Sequence, residues 1–153
     1  MPKATGAIVG IVLILQAWEP VSARSRQEAA NAVAASGFID MVFNRHRVEE
    51  AFDRYVGADY IQHNPRVATG RANGIQALGR LVARFPQMRV SVARILADGD
   101  LVAIHTHQVK QPGERGSAIA EFFRFARGRI VEHWDVIEEV PGPAEAKNGN
   151  GMF

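Results

Sequence analysis

The sequence predicts an α+β fold in which three N-terminal helices pack against a curved antiparallel sheet. Apolar residues recur at helical spacing through the first half of the chain, whereas four long β-rich runs fill the second half. Short turn signals separate these runs, so we expect a meander that wraps around the helices. The length of 153 residues, without repeats or an internal linker, predicts one domain.

Apolar spacing and helix end signals define the three helices. The predicted helices span residues 27–44, 48–56 and 70–85. Ser25 is the expected N-cap of the first helix, Gly57 ends the second, and Pro86 stops the third. Residues 60–65 read Tyr-Ile-Gln-His-Asn-Pro, and we expect a loop here because Asn-Pro is a turn signal.

The predicted strands follow in close succession, at residues 88–96, 101–110, 117–126 and 129–140. Asp-Gly-Asp at 98–100, Gln-Pro-Gly at 111–113 and Gly128 mark the turns between them. Residues 141–153 have no periodicity, so we expect them to form an irregular C-terminal tail on the surface.

The first 23 residues have the organisation of a signal peptide. Lys3 precedes an apolar run at residues 7–15, and a small-x-small end predicts cleavage near Ala23. The run is shorter than the ~20 residues that span a membrane. We therefore expect an exported protein, periplasmic or secreted, with a mature domain at residues 24–153 and no stable membrane span after cleavage. An uncleaved anchor or a misassigned start is the alternative.

Charge and cysteine content exclude several functions. The formal net charge is +2, and the basic residues are scattered rather than clustered, so no nucleic-acid partner is expected. The chain has no cysteine, which excludes disulfides, thiolate metal ligands and a thiol nucleophile.

Glu121 is the most unusual residue of the predicted sheet. Alternation places it on the same strand face as Ile119 and Phe123. Apolar surroundings favour the neutral form of a carboxyl, so this group is suited to exchange protons. The alternative is a buried polar pair with Arg124 or an imidazole, which would stabilise the fold without chemistry.

Imidazoles on the neighbouring strands strengthen the catalytic interpretation. His105 and His107 are two residues apart and point the same way, and His133 shares a strand face with Asp135. We expect one face of the sheet to gather these side chains with Glu121 in one cavity, provided that the strand registers agree. Asp135 could then orient His133, as carboxylates do in acid/base sites.

A metal site is a weaker alternative. Gly99, five residues and then His105-Thr106-His107 match the opening of the cupin metal motif. That motif continues with a Glu after three or four residues, whereas six residues separate His107 from Glu114. We therefore expect no metal.

With these residues identified, the chain resembles the SnoaL-like polyketide cyclase family of the nuclear-transport-factor-2-like fold. The resemblance covers essentially the whole mature chain. The matching segments are residues 60–65, 99–102 with His105, Glu-Phe-Phe-Arg-Phe at 121–125, Gly-Arg-Ile-Val-Glu-His-Trp-Asp-Val-Ile at 128–137, and the tail at 150–153.

The resemblance implies a cone of curved sheet, a cystatin-like roll, that is closed by helices and often dimerises through its outer face. It implies a pocket for a small hydrophobic carbonyl compound. Characterised cyclases of this family close a ring by intramolecular aldol condensation without a cofactor or metal, using an aspartate on a late strand assisted by a histidine. Glu121 stands at the position of that aspartate and is one methylene longer.

The sequence thus predicts a cofactor-independent acid/base enzyme of the aldol cyclase, isomerase or lyase type. Glu121 would remove a proton alpha to a carbonyl, while His107 would polarise the carbonyl or share the proton. The supporting catalytic residues are His133 and Asp135, and the expected substrate contacts are His63, His105, Phe123 and Trp134. A non-catalytic binding or dimerising module of the same fold is the alternative.

Overall fold

The structure, a computed structural model, describes the backbone of residues 21–153 and the side chains from residue 25 onward. The predicted signal peptide therefore lies outside the fully described residues. Among the described helices, none is both long and apolar enough to cross a membrane.

The described chain contains three α-helices, one π-helical turn and five strands, which confirms the predicted α+β class. In chain order these are α1 (Val21–Ile39), the π-helical turn (Asp40–Asn44), α2 (Val48–Tyr55), β1 (Val56–Gln62), α3 (Arg71–Arg84), β2 (Arg89–Asp98), β3 (Leu101–Val109), β4 (Ser117–Ala126) and β5 (Arg129–Glu139). The four predicted strands correspond to β2 through β5. No helix or strand follows β5 in the described chain.

The predicted loop at residues 60–65 is partly wrong, because its first three residues belong to β1. This strand pairs in parallel with β5, so the curved sheet is mixed rather than purely antiparallel, with strand order β1-β5-β4-β3-β2. Gly57-Ala58-Asp59 have low strand propensity and mask the strand in the sequence. The Asn-Pro signal ends the strand without excluding it.

Two tight turns set the registers of the neighbouring hairpins. Arg127 and Gly128 join β4 to β5 with φ of 50° and 72°, the combination found in type I′ turns. Gly99, with φ of 60°, opens the two-residue turn between β2 and β3. In contrast, a longer connection, residues 110–116, joins β3 to β4. Local turn chemistry therefore leaves the pairing of β3 with β4 undetermined.

The core lies between the helices and one side of the sheet, which we call the inner face. Phe52 of α2 is fully buried and makes edge-to-face contacts with Phe38 and Tyr60, at centroid distances of 5.5 and 5.9 Å. Phe38 also meets Phe123 of β4 at 6.0 Å. These contacts fix α1 and α2 over the sheet.

The connection between β3 and β4 requires a glycine. Gly116 has φ of +76°, and a Cβ there would lie 2.2 Å from the carbonyl oxygen of Gln108. We expect Gly116→Ala to lower the free energy of unfolding by about 1–3 kcal/mol, measured by urea denaturation. Gly79→Ala in α3 is the matched control. It meets nothing within 4 Å and should raise stability by about 0.5–1 kcal/mol. Equal effects of the two substitutions would contradict this account.

Candidate functional site

A cavity of about 870 Å³ lies between the inner face and the helices. Its walls are mainly apolar and include Phe38, Phe43, Leu78, Leu81, Phe85 and Ile119. Its polar residues include Tyr60, Gln62, Asn64, Glu121, His133 and Asp135. Apolar walls with a few convergent polar groups are typical of small-molecule sites.

A β-bulge turns the key residues of β5 into this cavity. Ile130 pairs with Phe125, whereas Glu132 pairs with Arg124, so Val131 is an extra residue on β5. The extra residue shifts the alternation by one position, and Ile130 and His133 therefore both face inward. The bulge thus places Ile130, which strict alternation assigns to the face of Glu132 and Trp134, on the face of His133 and Asp135.

Glu121 and His133 form a pair at the deep end of the cavity. The Nε2 of His133 lies 3.1 Å from Oε2 of Glu121, and the two residues are only 9% and 6% exposed. The ring of Phe123 stacks on the imidazole at 4.9 Å. The pair is thus shielded from bulk solvent, and both of its side chains line the cavity.

Gln62 fixes the tautomer of His133. The backbone N–H of Asn64 donates to Oε1 of Gln62 at 2.9 Å, which identifies that atom as the amide oxygen. The same oxygen lies 3.0 Å from Nδ1 of His133, so Nδ1 carries a proton and donates it. Nε2 then either accepts a proton from Glu121 or, in the imidazolium, donates one to it. One proton is therefore shared across the Glu121–His133 contact.

Tyr60 supplies a hydroxyl to the same cavity. Burial raises the pKa of Tyr60, and the nearby Glu121 and Asp135 raise it further. The hydroxyl therefore stays protonated well above neutral pH. It accepts a hydrogen bond from Nε2 of Gln62 at 2.9 Å, and no described residue accepts its own proton. That proton is available to a ligand.

Asp135 is held beside Glu121 by pairing and by a side-chain amide. Glu121 and Asp135 are direct cross-strand partners on the inner face. The Nδ2 of Asn64 donates to both carboxylate oxygens of Asp135 at 2.8 Å. Asn64 therefore orients this second carboxylate within the cavity wall.

The expectation that His105 and His107 share the cavity with Glu121 is wrong. Glu121 pairs with Ile104, so the inward residues of β3 are the even-numbered ones and both histidines lie on the opposite, outer face. Arg94 donates to Nδ1 of His105 at 2.7 Å, and Nε2 of His107 donates to the carbonyl of Arg115 at 2.7 Å.

The C-terminal tail contacts these two histidines. The Phe153 ring stacks on His105 at 5.4 Å and on His107 at 4.3 Å. Among the described residues, no group of three His, Asp or Glu side chains is arranged to hold a metal ion.

His63 and Trp134 also lie on the outer face, contrary to their expected substrate contacts. Their rings stack at 4.5 Å with an interplanar angle of 7°. Alternation along β5 turns Trp134 away from His133, and His63 follows the end of β1 beside it. Phe123 faces inward, but it supports the His133 ring from behind and does not line the cavity.

Glu132, His63 and Arg124 form an ion cluster on the outer face, and this cluster predicts that stability depends on pH. His63 lies 3.0 Å from Glu132, and Arg124 also pairs with Glu132. The hydrogen bonds from His63 and then Arg124 lower the pKa of Glu132 from its ordinary 4.5. A lowered folded-state pKa stabilises the fold above 4.5, and that stabilisation is lost as the pH falls below it.

We therefore expect Glu132→Gln to lower stability at pH 7 and to cost less at pH 3, measured by urea denaturation. Glu138→Gln is the control, because Glu138 is an exposed carboxylate on the same strand. A Glu132→Gln deficit that stays the same at both pH values would contradict the role assigned to the cluster.

Three polar residues around the Glu121–His133 pair and Asp135 were not predicted, namely Tyr60, Gln62 and Asn64. They alternate in the sequence, and alternation along an extended chain places them on one face. The expectation of a loop hid this signal. The alternation runs along β1 and continues for two residues beyond its end at Gln62.

Comparisons with known proteins agree with this architecture. The family model described as SnoaL-like domain matches residues 35–133. No functionally curated protein matches the chain.

Solved structures show the same fold at low sequence identity. A proposed ketosteroid isomerase from Kribbella flavida has a TM-score of 0.62 and 21% identity, over 76% of this chain and 84% of its own. A SnoaL-like protein of unknown function from Burkholderia thailandensis has a TM-score of 0.62 and 19% identity, over 72% and 96%. A proposed SnoaL-like polyketide cyclase from Jannaschia has a TM-score of 0.62 and 15% identity, over 80% and 91%.

Proposed function

Because the chain belongs to the SnoaL-like domain family, we propose that it is a cofactor-independent acid/base enzyme acting on a small hydrophobic carbonyl compound. The reaction is of the aldol cyclase, isomerase or lyase type. Its first step is removal of a proton alpha to the carbonyl. The observation that carries this function is the buried Glu121–His133 pair, whose Oε2 and Nε2 atoms lie 3.1 Å apart at the deep end of the cavity.

Glu121 acts as the base in this reaction. In the ion-paired form of the contact, the carboxylate is free of its proton and accepts one from the alpha carbon. His133 holds its own proton on Nδ1 through Gln62, so Nε2 remains the position that exchanges with Glu121. The proton can then return to another carbon or to the product oxygen. A positioned base of this kind contributes typically 10²- to 10⁴-fold in rate.

Tyr60 stabilises the charge that develops on the carbonyl oxygen. Its hydroxyl is protonated, lines the cavity and accepts a hydrogen bond from Gln62, which leaves the O–H free to donate to a ligand. Preorganised donors of this kind act where charge forms in the transition state. Tyr60 takes the carbonyl-polarising role that the sequence alone suggests for His107.

The proposed function is tested by proton exchange in D₂O. A panel of hydrophobic ketones and keto esters is incubated with the protein, and loss of the alpha-proton signal is followed by NMR. We expect catalysed exchange for at least one compound that binds. Binding without exchange across the panel would instead identify a non-catalytic binding module, in which Glu121 and His133 only satisfy each other.

A further inference from the structure

The mouth of the cavity carries positive charge that the proposed acid/base step does not use. Four cationic side chains line the cavity together with the polar residues: Arg66, Arg80, Arg84 and Lys110. The three arginines are exposed and Lys110 is half-buried, whereas Glu121 and His133 are buried. The cations therefore stand at the solvent end and the carboxyl pair at the deep end.

These cations come from three separate parts of the fold. Arg66 lies in the loop after β1, Arg80 and Arg84 lie on α3, and Lys110 follows β3. Arg80 and Arg84 are four residues apart, so they project from the same side of the helix on successive turns. Like charges at that spacing repel each other, and an anion bound between them would relieve that repulsion.

The four cations are unpaired among the described residues. Several other arginines form ion pairs, including Arg45 with Asp40 and Arg124 with Glu132. In contrast, no carboxylate in the described chain forms an ion pair with any of the four at the mouth. Glu114 and Glu139 share a neighbouring depression with Lys110 but do not pair with it.

Phe85 holds two of these cations in place. The guanidinium carbon of Arg84 lies 5.3 Å from the Phe85 ring centroid, and Nζ of Lys110 lies 6.0 Å from it. Phe85 is itself part of the cavity wall. Cation–π contacts at this distance orient the side chains without neutralising their charge, so the positive ends remain available at the mouth.

We propose that the compound bound in this cavity is an anionic amphiphile. Its carbonyl lies near Glu121 and Tyr60, its apolar body lies along the walls, and a carboxylate or phosphate at its far end is bound by Arg66, Arg80, Arg84 and Lys110. Guanidinium groups form strong, charge-assisted hydrogen bonds with both kinds of anion. The placement of the carbonyl rests on the proposed function, whereas the binding of the anion at the mouth does not.

The test compares three probes with the same eight-carbon chain by isothermal titration calorimetry: octanoate, octyl phosphate and 1-octanol. We expect at least one of the two anions to bind about tenfold more tightly than the alcohol at low salt, and the advantage to shrink as salt is added. The tighter anion identifies carboxylate or phosphate as the preferred group. Equal affinities for all three probes would overturn the proposal.

Arg80→Gln/Arg84→Gln should reduce the advantage of the anion to about twofold while leaving the affinity for octanol unchanged. Arg26→Gln/Arg127→Gln is the matched control, because both arginines are exposed and lie outside the cavity lining. Persistence of the full advantage in the mouth variant, or an equal loss for all three probes, would contradict the assignment. Thermal melting checks that both variants are folded. Because this measurement needs no turnover, the anion preference and the acid/base function can fail independently.

Discussion

Glu121→Gln is expected to reduce catalysed alpha-proton exchange by about 10²- to 10⁴-fold. Glutamine keeps the shape of the side chain and can still contact Nε2 of His133, but it cannot accept a proton from carbon. The fold should therefore survive while the chemical step is lost. The measurement is the exchange rate in D₂O for whichever ketone of the panel is most active with the wild-type protein.

Glu138→Gln provides the matched control for this substitution. Glu138 is a carboxylate on β5 that is exposed and does not line the cavity, so its replacement should leave exchange within about twofold of wild type. An active Glu121→Gln variant would show that this carboxyl is not the base. The pair with His133 would then be structural.

Tyr60→Phe is expected to lower both kcat and kcat/KM of alpha-proton exchange by about 10²- to 10³-fold, as loss of a single oxyanion donor does. The two constants should fall together because the donor acts on charge that is present only in the transition state. Removal of the hydroxyl also leaves Nε2 of Gln62 without its acceptor, which should cost about 1 kcal/mol of stability.

The other tyrosine of the chain is the natural control. Tyr55 of α2 is half-buried and does not line the cavity. Tyr55→Phe should therefore leave kcat unchanged. If Tyr60→Phe raises KM without lowering kcat, the hydroxyl only binds the ground state, and the oxyanion assignment is wrong.

Local sequence signals predict most of the fold. Helical spacing identifies the three helices, and period-two runs with Gly99 and Gly128 at the turns identify β2 to β5. The parallel strand β1 is different, because its pairing with β5 joins distant parts of the chain and Gly57-Ala58-Asp59 weaken its local pattern. Pairing between residues so far apart in the chain cannot be recognised from the sequence of either strand alone.

The site is predicted only in part, because the sequence does not specify the register between β3 and β4. Glu121 and His133 meet as expected, and Asp135 lies beside them. The placement of His105 and His107 depends on the register of β3 against β4, which the longer connection between them does not specify. A register shifted by one residue would place the histidines inward in place of Thr106 and Gln108. Both alternating sets of β3 mix apolar and polar residues, so the sequence pattern does not show which set faces the core.

Two expectations drawn from the sequence remain predictions. A homodimer through the outer face would cover exposed apolar residues there, including Leu96, Phe122 and Val136. Export with cleavage near Ala23 predicts a mature N-terminus at Arg24, which N-terminal sequencing of the protein from its native host would detect.

The shared proton between Glu121 and His133 is tested most directly by ¹⁵N NMR of the histidine-labelled protein, with His133 assigned from a His133→Asn variant. We predict that Nδ1 of His133 is protonated and that the Nε2 signal moves when Glu121 is replaced by Gln. A bare Nδ1, or an Nε2 signal that does not respond to the substitution, would contradict the account.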